Sequence, residues 1–356
     1  MRRSVLWLSL WVVVWACPGC QSASTCVSDG IAGASRARPL VGAIRMDAWQ
    51  PTEPIGNGLV GFLGPSQWRY RMPLYGVEVD PNTVSLAANT QAVMDQEIGY
   101  AHAAGLDYFC FNHFLTELRQ SLNLYLSSAR KGEINFCLQM GSLNPDRVAD
   151  AVNLIRTEST YQKVAGGRPL IFFQAWYFAA GVTPPYSKAD VDHFRAQLMR
   201  AGIPNPYIVV QNFSARHAAD DADRYGADAI SSYIMGVGRG QSGPFSALVR
   251  DAEHDWTDYA GTGKKVVPTV VTGYDTRPDP SRLKESYWAE ATPQEIATHL
   301  RNAVKWTADN PCAAEANTIQ IYAWNEISEG GWLLPSNTAF NPVGTGRLDA
   351  IADVLR

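Results

Sequence analysis

Residues 321–332 read Ile-Tyr-Ala-Trp-Asn-Glu-Ile-Ser-Glu-Gly-Gly-Trp, which places Glu326 and Glu329 among Trp324, Asn325 and Trp332. Two carboxylates, an amide and two indoles in so short a stretch are suited to breaking a glycosidic bond. That reaction takes one carboxylic acid to protonate the leaving oxygen and a second carboxylate as nucleophile or base. The acid has to hold its proton near neutrality, and burial beside an indole together with a neighbouring carboxylate raises a carboxyl pKa. Pure strand geometry points residues 326 and 329 to opposite faces. A turn starting near Asn325 would bring both to one side, and Gly330-Gly331 removes the steric obstacle to such a turn. Alternatively one glutamate is catalytic and the other is structural, paired with Arg277.

The carboxylates follow a mostly apolar run, Thr318–Ala323, that reads as a buried strand. Similar runs recur upstream: Leu40–Met46, Leu106–Phe111, Ile134–Met140, Pro169–Gln174, Tyr207–Gln211, Ala227–Tyr233 and Lys265–Val271. Continuous apolar runs suit parallel strands buried on both faces. Helix signals lie between them. Asn144-Pro145 opens one helix with Val148, Val152 and Ile155 on a face; Ser187 with Asp190, and Thr292 with Glu295, form capping boxes; Gln91–Ala104 is closed by Gly105; Arg347–Leu355 makes the last. Eight strands, each followed by a helix or a helix-sized segment, predict an α/β fold, a (β/α)8 TIM barrel, with a doubly wound sheet as the alternative.

In such a barrel the functional residues gather at the C-terminal strand ends. Those ends carry Asp47 and Trp49, then Asn112 and His113, then Gln174, Trp176 and Tyr177, then Asn212, Tyr233, and finally Tyr274, Asp275 and Arg277. With Trp324, Asn325 and Trp332, the residues Asp47, His113, Trp176, Tyr177, Asn212, Tyr233, Tyr274, Asp275 and Arg277 are the candidate sugar contacts around Glu326 and Glu329. Trp176 and Tyr177 suit a sugar platform or core packing under a loop; His113 suits a sugar hydroxyl or a structural hydrogen bond.

The composition agrees with carbohydrate handling: 11 Trp, 15 Tyr and 12 Phe in 356 residues offer faces on which sugar rings stack. A net charge of -4 gives no electrostatic case for nucleic acid or acidic membranes. At the N-terminus Arg2 and Arg3 precede the apolar stretch Val5–Ala16, too short to span a membrane and right for a signal peptide. Residues 1–20 are therefore expected to be a signal segment, 21–38 a flexible tether, and 39–356 a single barrel domain. The expected location is outside the cytoplasm, secreted or held by a lipid anchor at Cys20 or Cys17, as a monomer. Cys26, Cys110, Cys137 and Cys312 show no zinc spacing, and Cys110 and Cys137 read as packing thiols. No metal and no cofactor is expected. The formal GxGxxG of Gly238–Gly243 is followed at once by Pro244 and lacks a βαβ setting, so it reads as a loop.

Trp-Asn-Glu-Ile-Ser-Glu-Gly-Gly-Trp-Leu-Leu-Pro (324–335) resembles a segment of the WbsX-like proteins and the related endo-α-mannosidase/endo-α-mannanase family, glycoside hydrolase family 99. Gly-Tyr-Asp-Thr-Arg-Pro (273–278), the strand ending at His113, and Gly167-Arg-Pro-Leu170 are similar to further segments of that family in the same order. The resemblance implies a barrel acting on glycans, with Glu329 as general acid/base. It implies that Glu326 deprotonates the sugar 2-hydroxyl, giving an anhydro-sugar intermediate and overall retention, and that Tyr233 and Tyr274 contact substrate. Ile327, Leu334 and the ends of the first two strands depart from the family pattern, which leaves the sugar open. A silent glycan-binding barrel and a polysaccharide-assembly glycosyltransferase are the alternatives; a signal peptide speaks against the latter, whose sugar-nucleotide donors are cytoplasmic.

Overall fold

Each of the eight apolar runs forms a strand or an interrupted strand in the computed structural model, which describes residues 37–49, 54–113, 119–176, 186–239 and 241–356. The strands are β1 Leu40–Arg45, β2 Tyr108–Asn112, β3 Asn135–Met140, β4 Arg168–Gln174, β5 Tyr207–Gln211, β6 Ala229–Ser231, β7 in two pieces (Lys265–Val266 and Thr269–Val271) and β8 Thr318–Tyr322. From β1 to β6 each strand pairs in parallel with the next, and β1 also pairs in parallel with β8. The first piece of β7 continues onto β6 and the second pairs with β8. Pro268 has no N–H for the ladder, which explains the break. Val267 N–H still donates to Ile230 O and Pro268 O still accepts from Gln320 N–H, both at 3.0 Å. The result is a curled, mostly parallel sheet of the TIM-barrel-like kind, jacketed by helices.

Local sequence explains where the helices begin. Asn144 Oδ1 accepts from Arg147 N–H at 2.9 Å and starts helix Pro145–Thr157. The capping boxes of Ser187/Asp190 and Thr292/Glu295 start Lys188–Arg200 and Pro293–Asp309. Gln91–Ala103 and Gly346–Leu355 form as expected from sequence. Not foreseen were helix Arg119–Ser127 and an antiparallel hairpin, Gly76–Asp80 with Thr83–Leu86. Val77 and Val79 of its first strand are exposed, so the alternation there does not signal a core face, whereas Val84 and Leu86 of the second strand are buried.

Two aspects of the interior bear on the site. Cys110 and Cys137 are register partners on β2 and β3, both free and buried. Across the sheet interior Gln139 donates to Gln211, whose Nε2 donates to Gln320 Oε1 at 2.7 Å, a chain of amides beneath the C-terminal strand ends. The signal segment and the tether up to residue 36 lie outside the described residues, as do Cys17, Cys20 and Cys26. Among the described residues no helix is long and apolar enough to cross a membrane.

Candidate active site

The turn that carries the two glutamates is built by glycine and backbone pairing. Asn325–Glu326 pairs antiparallel with Gly331–Trp332, and between them Ile327–Glu329 forms one 3-10 turn closed by Gly330 in the left-handed region at φ 81°. The chain returns so tightly that a Cβ on Gly330 would stand 2.8 Å from Asp275 N, and one on Gly331 only 2.3 Å from the ring of Tyr322. Such contacts force a shift, because both neighbours are buried in packed structure. Tyr322 holds Glu329, so Gly331→Ala is expected to lower kcat/KM by on the order of 100-fold through misplacement of that carboxylate. Steady-state kinetics alongside a melting curve would separate this from simple unfolding.

Buried ion pairs hold the turn from behind. Arg71, 1 % exposed, donates to Asp275 Oδ2 at 2.5 Å, to Asp275 O at 2.8 Å and to Ser328 O at 3.2 Å. Asp275 also takes Arg277 Nε at 2.8 Å and Nη2 at 2.9 Å, and its N–H donates to Glu329 O at 2.6 Å. On the β1 side Asn325 Oδ1 accepts from Met46 N–H at 2.7 Å, while its Nδ2 donates to Asp47 at 2.9 Å. Arg45 bridges Asp47 and Glu97 at 2.7 and 2.5 Å, and Glu97 accepts from the indole of Trp324 at 3.1 Å. Trp332 is buried, with Arg347 stacked 3.8 Å over its ring. Asp47, Asp275, Arg277, Trp324, Asn325 and Trp332 therefore form the mounting of the turn, and none of them is among the residues lining the cavity in front of it.

That cavity, about 500 Å³, lies at the C-terminal ends of the strands. Its walls include Glu326, Glu329, Tyr233, Tyr274, Trp176, Gln174 and Arg282, with Met46, Leu59, Phe213 and Val237 adding apolar surface. Tyr233 donates its hydroxyl proton to Glu326, and Asn112 Nδ2 donates to Tyr233 at 3.3 Å. Glu329 is held by Arg282 and by the Tyr322 hydroxyl at 2.7 Å. Arg282 also binds Glu285 at 2.8 Å and Tyr274 at 2.8 Å. Glu326 is 7 % exposed, and burial first, then the charge of Glu329, push its pKa up to about 8, against the hydrogen bond from Tyr233. Burial and the neighbouring carboxylate thus favour a proton on Glu326.

Other candidate residues lie elsewhere. His113 is buried, 3.2 Å from Asp150, and burial together with Arg147 and Arg119 pushes its pKa down to about 3. Asn212 donates to Asp221 at 2.7 Å on the next helix. Neither His113 nor Asn212 lines the cavity. Tyr177 lies outside the described residues. Arg277 is paired with Asp275, so the alternative in which it neutralises a structural glutamate is replaced by Arg282 on Glu329. Several contributors escaped the sequence reading, among them Tyr322, Arg282 and Phe213. Tyr322 was hidden in an apolar run, although its place two residues after inward-facing Gln320 marks its direction. Arg282 ends the short 3-10 turn Pro280–Arg282 and Phe213 sits in an irregular loop, both too short for a periodicity that signals orientation.

Solved structures share this fold. A glycoside hydrolase-like protein matches with a TM-score of 0.63 at 12% identity, over 90% of this chain and 95% of its own. The GH99 endo-α-mannosidase from Bacteroides thetaiotaomicron, in complex with bis-tris-propane, matches with a TM-score of 0.59 at 15% identity, over 88% of this chain and 95% of that one. A second structure of an endo-α-mannosidase from that organism gives 0.53 at 13% identity over the same shares, 88% and 95%. The chain thus has a fold related to glycoside hydrolase family 99. No protein-family model matches the sequence, and no curated protein does.

Proposed function

We propose that the chain is a glycoside hydrolase cleaving an α-linked glycan or polysaccharide, mannan-like by its likeness to the endo-α-mannosidases. The observation that carries this reading is the convergence of Glu326 and Glu329 on one aromatic-walled cavity. In the proposed reaction Glu326 takes the proton of the sugar 2-hydroxyl, and O2 attacks C1. The bond from C1 to the leaving oxygen breaks, and that oxygen receives a proton from Glu329. Water then attacks C1 with Glu329 taking its proton, the C1–O2 bond breaks, and O2 regains its proton from Glu326, so configuration is retained. This assignment requires the proton of the resting pair to pass from Glu326 to Glu329. A sugar hydroxyl donating to Glu326 favours its ionised form and drives that transfer.

Export is part of the same proposal. The charged and apolar N-terminal segment supports it, as does Cys312, which is disulfide-bonded and so suits an oxidising compartment.

Digestion of yeast α-mannan and a panel of other α-glycans tests the activity. Wild type is expected to release reducing ends from at least one, and the double variant Glu326→Gln/Glu329→Gln from none. Binding without release by wild type would favour the glycan-binding alternative and sink the hydrolase.

A further inference from the structure

Gln174 closes β4 and lines the cavity beside Trp176, Tyr233 and Glu326. It is 1 % exposed. Its Nε2 donates to Asn112 Oδ1 at 3.4 Å, Asn112 Nδ2 donates to the Tyr233 hydroxyl at 3.3 Å, and Tyr233 donates to Glu326. Every donor in this row points towards the carboxylate, and the acceptor left at the far end, Gln174 Oε1, has no partner. Turning the Gln174 amide over does not repair this, because it sets Oε1 against Asn112 Oδ1. Glu326 keeps Oε1 as an acceptor for Tyr233 even with a proton on its other oxygen, and with Tyr233 donating there the order of the row follows from the carboxyl end. A buried carbonyl without a donor costs about 1–3 kcal/mol, and most such groups in proteins are paired. Gln139 Oε1 and Gln320 Nε2 also lack partners, but neither lines the cavity. Gln174 Oε1 is thus a buried acceptor left open on a side chain that lines the cavity.

We propose that Gln174 is a specificity residue, accepting a hydrogen bond from one hydroxyl of the saccharide ring seated in this cavity. The proposal rests on the saccharide reading given above. Asn112 and Tyr233 stand between Gln174 and Glu326, so the hydroxyl it reads is not the one that Glu326 reaches. The rest of the ring has an apolar wall to lie on: Trp176 and Phe213 are 4.6 Å apart between ring centroids, and Phe213 is 50% exposed. An apolar sugar face set on these rings, with an edge hydroxyl on Gln174, satisfies both kinds of surface. A site built to bond a hydroxyl rejects the analogue that lacks it, because the protein acceptor is then left buried and unpaired.

The test is a cycle between the side chain and the hydroxyl. Calorimetric titrations use Glu329→Gln protein, with and without Gln174→Leu, against methyl disaccharides of α-mannose, α-glucose and α-galactose and their singly deoxygenated forms. With Gln174 present, one deoxygenation is expected to weaken binding about 10- to 100-fold. In the Gln174→Leu protein that gap should vanish while the other deoxy sugars behave as before. Gln174→Met, of the same length without the amide, replaces leucine if the leucine variant does not fold. A gap that persists without the amide, or an equal loss for every sugar, overturns the proposal. If no disaccharide binds, the proposal falls alone where wild type still cleaves a polysaccharide, and together with the saccharide reading where it does not.

Discussion

Glu329→Gln is expected to lose about 10²- to 10⁴-fold in kcat/KM on a polysaccharide, the usual contribution of a general acid, yet to keep most of its kcat/KM on an α-glycosyl fluoride of the same sugar, with kcat lowered by the missing base of the second step. Fluoride departs without protonation, so a missing acid is bypassed at the first step. Glu326→Gln is expected to fail on both substrates, because without a base the 2-hydroxyl cannot attack whatever the leaving group. The comparison discriminates sharply because the resting pocket is arranged the other way round: burial favours a proton on Glu326, while Glu329 is paired with Arg282 and steadied by Tyr322. If the fluoride spares Glu326→Gln instead, the two glutamates exchange roles and Glu326 is the acid. Full activity of either variant on polysaccharide would remove that residue from the mechanism.

The same proton can be followed without any substrate. The folded protein raises the pKa of Glu326 from 4.5 to about 8, so between those values the native state holds a proton that the unfolded chain has released. Stability then falls with rising pH: the contribution is fully present below about pH 4.5 and gone above about pH 8. Glu326→Gln imitates the neutral form and should remove this slope. Melting midpoints of wild type and variant are expected to diverge in the variant's favour as pH is raised from 5 to 9. Parallel midpoints across that range would mean that Glu326 is ionised at neutrality. Activity should fall as pH rises through about 8, when the pair has lost its shared proton.

The scaffold was legible because burial on both faces writes itself into sequence as uninterrupted apolar runs, and caps mark the helices between them. Pro268 is the instructive exception: it splits the seventh run because a proline cannot donate to the ladder, yet the neighbouring strands continue past it. The glutamate pair was legible for a local reason, two glycines that let residues 326 and 329 turn to one side. What surrounds the pair was not. Strand ends carry polar residues both when they face a ligand and when they brace a loop, and the sequence does not distinguish these. Tyr233 and Tyr274 line the cavity, whereas Asp275 and Arg277, one and three residues beyond Tyr274, turn away to clamp the glutamate turn from behind. That choice depends on Arg71, some two hundred positions away in sequence, which no local pattern connects to them.

Removal of Asp275 should therefore appear as lost stability. Arg71 is buried with its charge compensated by Asp275, and Asp275→Ala leaves that cation with backbone oxygens and the rings of Trp68 and Tyr70 for company. Breaking a buried pair by deleting one partner costs about 3–5 kcal/mol, since the remaining charge stays out of water. In a domain of this size that corresponds to a fall in thermal midpoint of roughly 10 °C. Asp275→Asn keeps the shape and one acceptor, and should fall between wild type and alanine. The pH dependence supplies a second check. Burial works to raise the Asp275 carboxyl, but Arg277 and Arg71 outweigh it and hold it below the ordinary 3.8. A depressed carboxyl contributes stability above its unfolded pKa and loses it as pH falls through the folded one. The deficit of Asp275→Asn should thus be full at pH 7 and shrink below about pH 3.8. A raised KM at an unchanged melting midpoint would instead make Asp275 a substrate contact, and would require the turn bearing Glu329 to be held by Arg71 alone.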